Sequence, residues 1–158
     1  MIYKGINFSG PRQETLVIPR NGIDVVITAD AVYDFAEFDA ILSIPNVPLR
    51  QKAGSSEVQH MYNDPEYQKK LDKYITYKSD WIVLKSLQAT KELEWETVDL
   101  SDPETWANYK TELVSAGFSQ LEIMNIINLI NRACGLDQDK IDEATKSFLA
   151  SRQEEPRT

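Results

Sequence analysis

Apolar residues alternate singly over a short stretch near the start of the chain and recur every three or four positions through most of its second half. Residues 14–28, ETLVIPRNGIDVVIT, hold two β-branched runs around Arg20-Asn21-Gly22. Asn-Gly accepts the positive φ angles of a tight turn, so the pattern predicts a β-hairpin. Pro19 cannot donate to a ladder, which puts the first strand at an edge. A hairpin alone is marginal, so a third strand from residues 1–3 or near Phe8, or a helix laid on the apolar face, is expected. Over residues 29–42, Val32, Phe35, Phe38, Ile41 and Leu42 stand at helical spacing and predict a short amphipathic helix. Residues 43–59, with two prolines and a Gly-Ser-Ser run, read as an extended loop.

Asp64-Pro65 supplies an N-cap and a first-turn proline, and opens the longest predicted helix. Tyr67, Leu71, Tyr74, Ile75, Trp81, Ile82, Leu84 and Leu87 mark its stripe, which ends near Thr90. Residues 92–100, ELEWETVDL, fit either a short strand or an extended connector. Ser101-Asp102-Pro103-Glu104 is another helix start, with Trp106, Tyr109, Leu113 and Ala116 as the buried stripe and Gly117 as the stop. Ser119 and Glu122 then form a capping box, flanked by Phe118 and Ile123 at staple positions. Leu121, Ile123, Met124, Ile126, Ile127, Leu129, Ile130, Ala133 and Cys134 cover most of the following helix, which predicts burial on nearly all sides. Gly135 ends it, with Leu136 folding back and Asp137 capping a last helix. The stripe Ile141, Ala144, Thr145, Phe148 and Leu149 is expected to pack on the apolar helix. The predicted class is α+β: a small N-terminal hairpin or sheet followed by about four to five helices. The expected organisation is a hairpin plus short helix over 1–42, a loop over 43–63, a helical part over 64–151 in one compact domain, and a tail over 152–158.

Composition narrows the function. With 42% hydrophobic and 27% charged residues among 158, the chain has enough apolar content for a real core. A net charge of −8 opposes non-specific nucleic-acid binding, which needs a positive footprint. The first residues lack the roughly 7–15-residue apolar run of an export signal, and no window reaches the ~18 apolar residues of a membrane span. One Cys and one His cannot build a structural zinc site or an internal disulfide. His60 has no nucleophile signature to serve, and Cys134 closes an apolar helix, where burial and the negative end of the dipole disfavour a thiolate. Asp30, Asp34, Glu37 and Asp39 have the acidity of a divalent-cation site but no calcium-loop spacing, and the same run serves a solvated helix face. No glycine pattern cradles a phosphate. Neither a catalytic residue nor a cofactor or metal is expected.

Aromatic residues crowd the region between the loop and the apolar helix: Tyr67, Tyr74, Tyr77, Trp81, Trp95, Trp106 and Tyr109. Most fill a core, but Tyr and Trp also make partner anchors. Tyr77, which falls off its helix's apolar stripe, and Trp81, Phe148 and Leu149 are the candidate partner-binding residues.

With VIPRNGIDVVI, DFAEFDAIL, WIVLKSLQATKELEWETVDLSDPETWANYKTEL and GFSQLEIMNIINLINRACGLDQDKIDEATKSFL in place, the chain resembles the tail assembly chaperones of long-tailed bacteriophages over most of residues 14–149. The resemblance implies a non-enzymatic protein of virion assembly, in the cytoplasm of the infected bacterium, that binds the tape-measure protein and recruits the tail-tube protein. It is compatible with a homo-oligomer. Two alternatives stand beside it: a structural tail or neck protein retained in the virion, and a small phage protein that binds and inhibits a host protein. Recovery of its peptides from purified particles marks the first, and acidic residues confined to one face would mark the second.

Overall fold

The chain opens with two short strands, β1 (Ile2–Tyr3) and β2 (Ile6–Asn7), paired with each other across Lys4 and Gly5. No third strand joins the main hairpin; of the two expected arrangements, it is the helix laid on the apolar face that forms. Gly10 at φ +80° and Pro11, which has no N–H to donate, break the chain before the next ladder begins. The computed structural model describes residues 1–135 and 138–153, excepting the side chains of Lys140 and of residues 148–153.

The predicted hairpin is present. β3 (Gln13–Arg20) and β4 (Ile23–Asp30) pair antiparallel from Gln13↔Asp30 to Arg20↔Ile23. Asn21 and Gly22 both take positive φ in the turn, as a two-residue hairpin loop demands. One face, with Leu16, Ile18, Val25, Ile27 and Ala29, enters the core, while Val17 and Val26 oppose each other on the exposed face. The following helix, α1 (Ala36–Ile41), is shorter than the predicted 29–42, because Ala29 and Asp30 finish β4 and the Asp34 carboxylate takes the Ala36 N–H only at 2.9 Å. Phe38 of α1 is fully buried. Residues 43–59 are not wholly an extended loop: β5 (Leu49–Gln51) and β6 (Val58–His60) form an exposed hairpin. Gly54 at φ +77° and the Ser55 hydroxyl, which accepts the Glu57 N–H at 3.0 Å, shape its turn.

The long helix α2 (Pro65–Leu87) begins where predicted, with the Asp64 carboxylate accepting the Tyr67 N–H at 2.8 Å. It packs against β4, and its end is stitched there. The Ser86 hydroxyl donates to the Asp30 carbonyl at 2.7 Å. Just beyond the helix, Thr90 Oγ1 accepts the Thr28 N–H at 2.9 Å and donates to the Thr28 carbonyl at 2.7 Å. Thr90 is nearly buried, so Thr90→Val would strand a backbone donor and an acceptor at almost constant volume. A loss of about 1–3 kcal/mol is expected in urea unfolding, the cost of unsatisfied buried groups.

Asp102 caps the next element, a single 3₁₀ turn over Pro103–Thr105, before α3 (Asn108–Ser115). Trp106, Tyr109 and Leu113 of the expected stripe are buried, but Ala116 is exposed. After Gly117 at φ +85°, α4 (Gln120–Ala133) starts on the predicted capping box. The Glu122 N–H donates to Ser119 Oγ at 3.3 Å, and the Ser119 N–H donates to Glu122 Oε2 at 2.7 Å. α4 lies across the inner face of both β3 and β4 and touches α2 and α3. Arg20, at the end of β3, fastens the hairpin to this helix start by donating to the Gly117 carbonyl at 2.9 Å and to Glu122 at 2.8 Å, over the ring of Phe118.

Two expectations about the C-terminal helices fail. Ile126, Leu129, Ile130 and Ala133 of α4 are buried, but Leu121 and Met124 are 73% and 57% exposed, so the helix is not enclosed on nearly all sides. Its neighbours are a two-stranded sheet and the helices α2 and α3, too few to wrap it. In α5 (Gln138–Gln153), Ile141, Ala144 and Thr145 are exposed and do not seat on α4. The proposed roles of Leu136 and Asp137 fall outside the described residues, as does the expected tail from residue 154 on. The architecture is α+β, with N-terminal antiparallel strands followed by a mainly helical part.

The capping box sets an acid limit. Hydrogen bonds from Ser119, backbone first and then side chain, with the Arg20 charge added, hold the Glu122 carboxyl below its usual 4.5. A depressed carboxyl contributes stability that is present above its unfolded pKa and lost as pH falls through its folded one. The melting temperature should therefore decline below about pH 4.5, and Glu122→Gln should flatten that acid limb in a pH series of melting curves.

Candidate partner-binding surface

The aromatic anchors predicted from sequence separate into different environments. Trp81 is a core residue: it is 1% exposed, with its ring 5.6 Å from Phe38 and 5.9 Å from Phe35. It sits on the side of α2 that meets α1, so it offers nothing to a partner, which corrects its assignment as an anchor. Trp106 closes the same cluster, 6.0 Å from Phe38.

Tyr77 is half-buried at the rim of that cluster, edge-on to Trp106 at 6.0 Å. Its hydroxyl donates to Glu104 at 2.6 Å, and Lys73 Nζ reaches the same carboxylate at 3.0 Å while lying 5.2 Å above the Tyr77 ring. Burial, then the Glu104 carboxylate, raises the Tyr77 hydroxyl above its ordinary range. The hydrogen bond from Tyr77, then that from Lys73, holds the Glu104 carboxyl below its own. The polar end of Tyr77 is thus engaged within the chain, and only part of its ring faces solvent. Phe148 and Leu149 belong to α5, and their side chains lie outside the described residues.

A recess that sequence reasoning missed lies between the end of α2 and residues 93–100. It encloses about 350 Å³ and is walled by Leu84, Leu87, Leu93, Trp95, Val98 and Leu100, with Gln88 and Asp99 beside them. Leu93, Trp95, Val98 and Leu100 are only half-buried. The connector forming its outer wall is irregular, which settles the choice between strand and connector in favour of the latter. Distant side chains hold it in place. Glu112 of α3 accepts the Thr97 N–H at 2.8 Å, the Glu96 N–H at 2.9 Å and the Thr97 hydroxyl at 2.6 Å. Trp106 Nε1 donates to the Asp99 carbonyl at 3.1 Å, and Trp95 meets Tyr109 edge-on at 6.2 Å. Partial burial pushes the Glu112 carboxyl up, but the Thr97 and Glu96 donors outweigh it and leave the carboxyl below its ordinary range. The alternation Leu93, Trp95, with Val98 and Leu100 following, was the available signal. A carboxylate holding a loop from another helix leaves no local mark.

The acidic run is occupied by structural bonds. Asp30 accepts from Gln13 at 2.8 Å, Asp34 accepts the Ala36 N–H at 2.9 Å just ahead of α1, and Glu37 pairs with Lys85 at 2.7 Å. Among the described residues, no group of three or more His, Cys, Asp or Glu side chains is placed to hold a metal. His60 stacks on Tyr62 at 5.8 Å on the exposed β5–β6 hairpin, and Cys134 is half-buried at the end of α4. No described helix is long and apolar enough to cross a membrane.

The fold and this recess define a small α+β protein with an apolar slot between a helix end and a braced connector. No family model, curated protein or solved structure matches the chain.

Proposed function

We propose that this is a non-enzymatic binding protein of the tail assembly chaperone type, which holds an apolar helical segment of a tape-measure protein and assists assembly of the tail tube. The recess at Leu93, Trp95, Val98 and Leu100 carries the reading. Its aliphatic and aromatic walls accept one or two apolar side chains, and a partner helix presents such anchors on one face at i, i+3 and i+4. A tape-measure protein is a long helical chain with apolar stripes, which must be kept from aggregating until the tube forms around it. The acidic surface favours solubility of the loaded complex.

The test is sedimentation of the pure protein with tape-measure fragments of the same phage, with tryptophan fluorescence as a second readout, since Trp95 lines the recess. Binding through apolar area should vary weakly with salt. Trp95→Ala should weaken it on the order of tenfold or more, as loss of an interface anchor does. If the wild-type chain binds none of the fragments at low or moderate salt, the chaperone reading fails. Peptides from this chain in purified particles would favour a virion component instead.

A further inference from the structure

We propose that the free edge of β3 pairs with the same edge of a second copy, joining two hairpins into one four-stranded antiparallel sheet; this is independent of what the recess binds. Thr28 turns its N–H and carbonyl away from β3 to meet Thr90. Its partner Thr15 therefore turns its own backbone groups outward, and alternation puts those of Gln13 and Val17 on the same edge. Among the described residues, nothing accepts the N–H groups of these three positions. Gln13, Thr15 and Val17 are all exposed.

The occupant follows from the symmetry of the edge. Proline stands four residues before Thr15, at Pro11, and four after it, at Pro19. With a two-fold axis at Thr15, Thr15 faces Thr15 and Gln13 faces Val17 of the second copy, so every outward N–H finds a carbonyl. Pro11 then faces Pro19, and neither has a donor to strand. Centring the pair on Gln13 or Val17 instead sets a proline against Thr15 and loses bonds. The edge is also locally balanced, because Arg12 pairs with Glu14 at 2.9 Å although each chain carries −8 overall. Such an axis puts both α4 helices on one face of the joined sheet. Because α4 spans β3 and β4, the two helices would lie roughly 10 Å apart, the spacing of packed helices.

Sedimentation equilibrium of the full chain should show a dimer that tightens as salt screens the net charge. Thr15→Pro removes only an outward N–H and leaves the β3–β4 ladder intact. It should weaken dimerisation on the order of tenfold or more. In a Cys134→Ser background, Thr15→Cys should cross-link under mild oxidation. Gln13→Cys and Val17→Cys, each roughly 13 Å from its own copy in this register, should not. This cross-link decides the matter should Thr15→Pro fail to fold. A wild-type chain that stays monomeric to high concentration, a dimer untouched by Thr15→Pro, or equal cross-linking at all three positions would overturn the proposal.

Discussion

Trp81→Ala should cost the fold about 3–5 kcal/mol, the range for emptying a buried large aromatic site. The ring is enclosed by Phe35 and Phe38, and Phe38 in turn touches Tyr74 and Trp106. Removing Trp81 opens a void at the point where α1, α2 and the turn before α3 meet. The cost should appear as a lower urea midpoint at an unchanged slope, since slope follows the area exposed on unfolding. Tyr77→Phe is the contrast. It removes one half-exposed hydrogen bond to Glu104 and should cost no more than about 1 kcal/mol. A Trp81→Ala loss smaller than that of Tyr77→Phe would contradict the placement of the two rings.

The second large effect is expected from Lys110→Met. Asp80 is 3% exposed on α2. Its Oδ1 accepts from Lys110 Nζ at 2.7 Å and, weakly, from the Tyr109 hydroxyl at 3.4 Å, while Oδ2 has no partner among the described residues. Burial, then the Asp80 charge, pushes the Tyr109 hydroxyl far above its usual acidity range. Tyr109 therefore stays protonated and keeps donating. Removing Lys110 leaves a buried carboxylate with one poor donor. A wholly buried pair broken in this way costs about 3–5 kcal/mol, and because Lys110 is half-exposed the expected loss is nearer 2–3 kcal/mol. Asp80→Asn in the Lys110→Met background should restore most of it, because the amide carries no charge to bury. Equal stability of the single and double variants in urea would show that the pair is not coupled.

Local signals in the sequence were legible, and distant ones were not. Asn21-Gly22, Asp64-Pro65 and Ser119 with Glu122 specify their turn and caps through neighbouring atoms, and each forms as the residues require. The helix predicted over 29–42 came out short because the strand ladder claims Ala29 and Asp30, and a helical spacing of apolar residues does not register that competition. Aromatic identity did not reveal depth: Trp81 and Tyr77 lie four residues apart on α2, yet one is enclosed and the other is at the rim. The recess was hidden for a further reason. Its outer wall has no regular structure and stays in place only because Glu112, on another helix, holds residues 96–97 by their backbone.

Thr90 and Ser86 give the hairpin two unequal sides. A strand approaching β4 would find the Thr28 groups already taken and the end of α2 in its path, whereas β3 remains open. Growth of the β3–β4 sheet would therefore be self-terminating. One strand can be added, and if that strand comes from another copy, its own blocked side faces outward. An exposed β-branched edge is ordinarily a seed for fibrils; here the two hydroxyls block one side of the hairpin, so a pairing of two copies through β3 would be closed and finite.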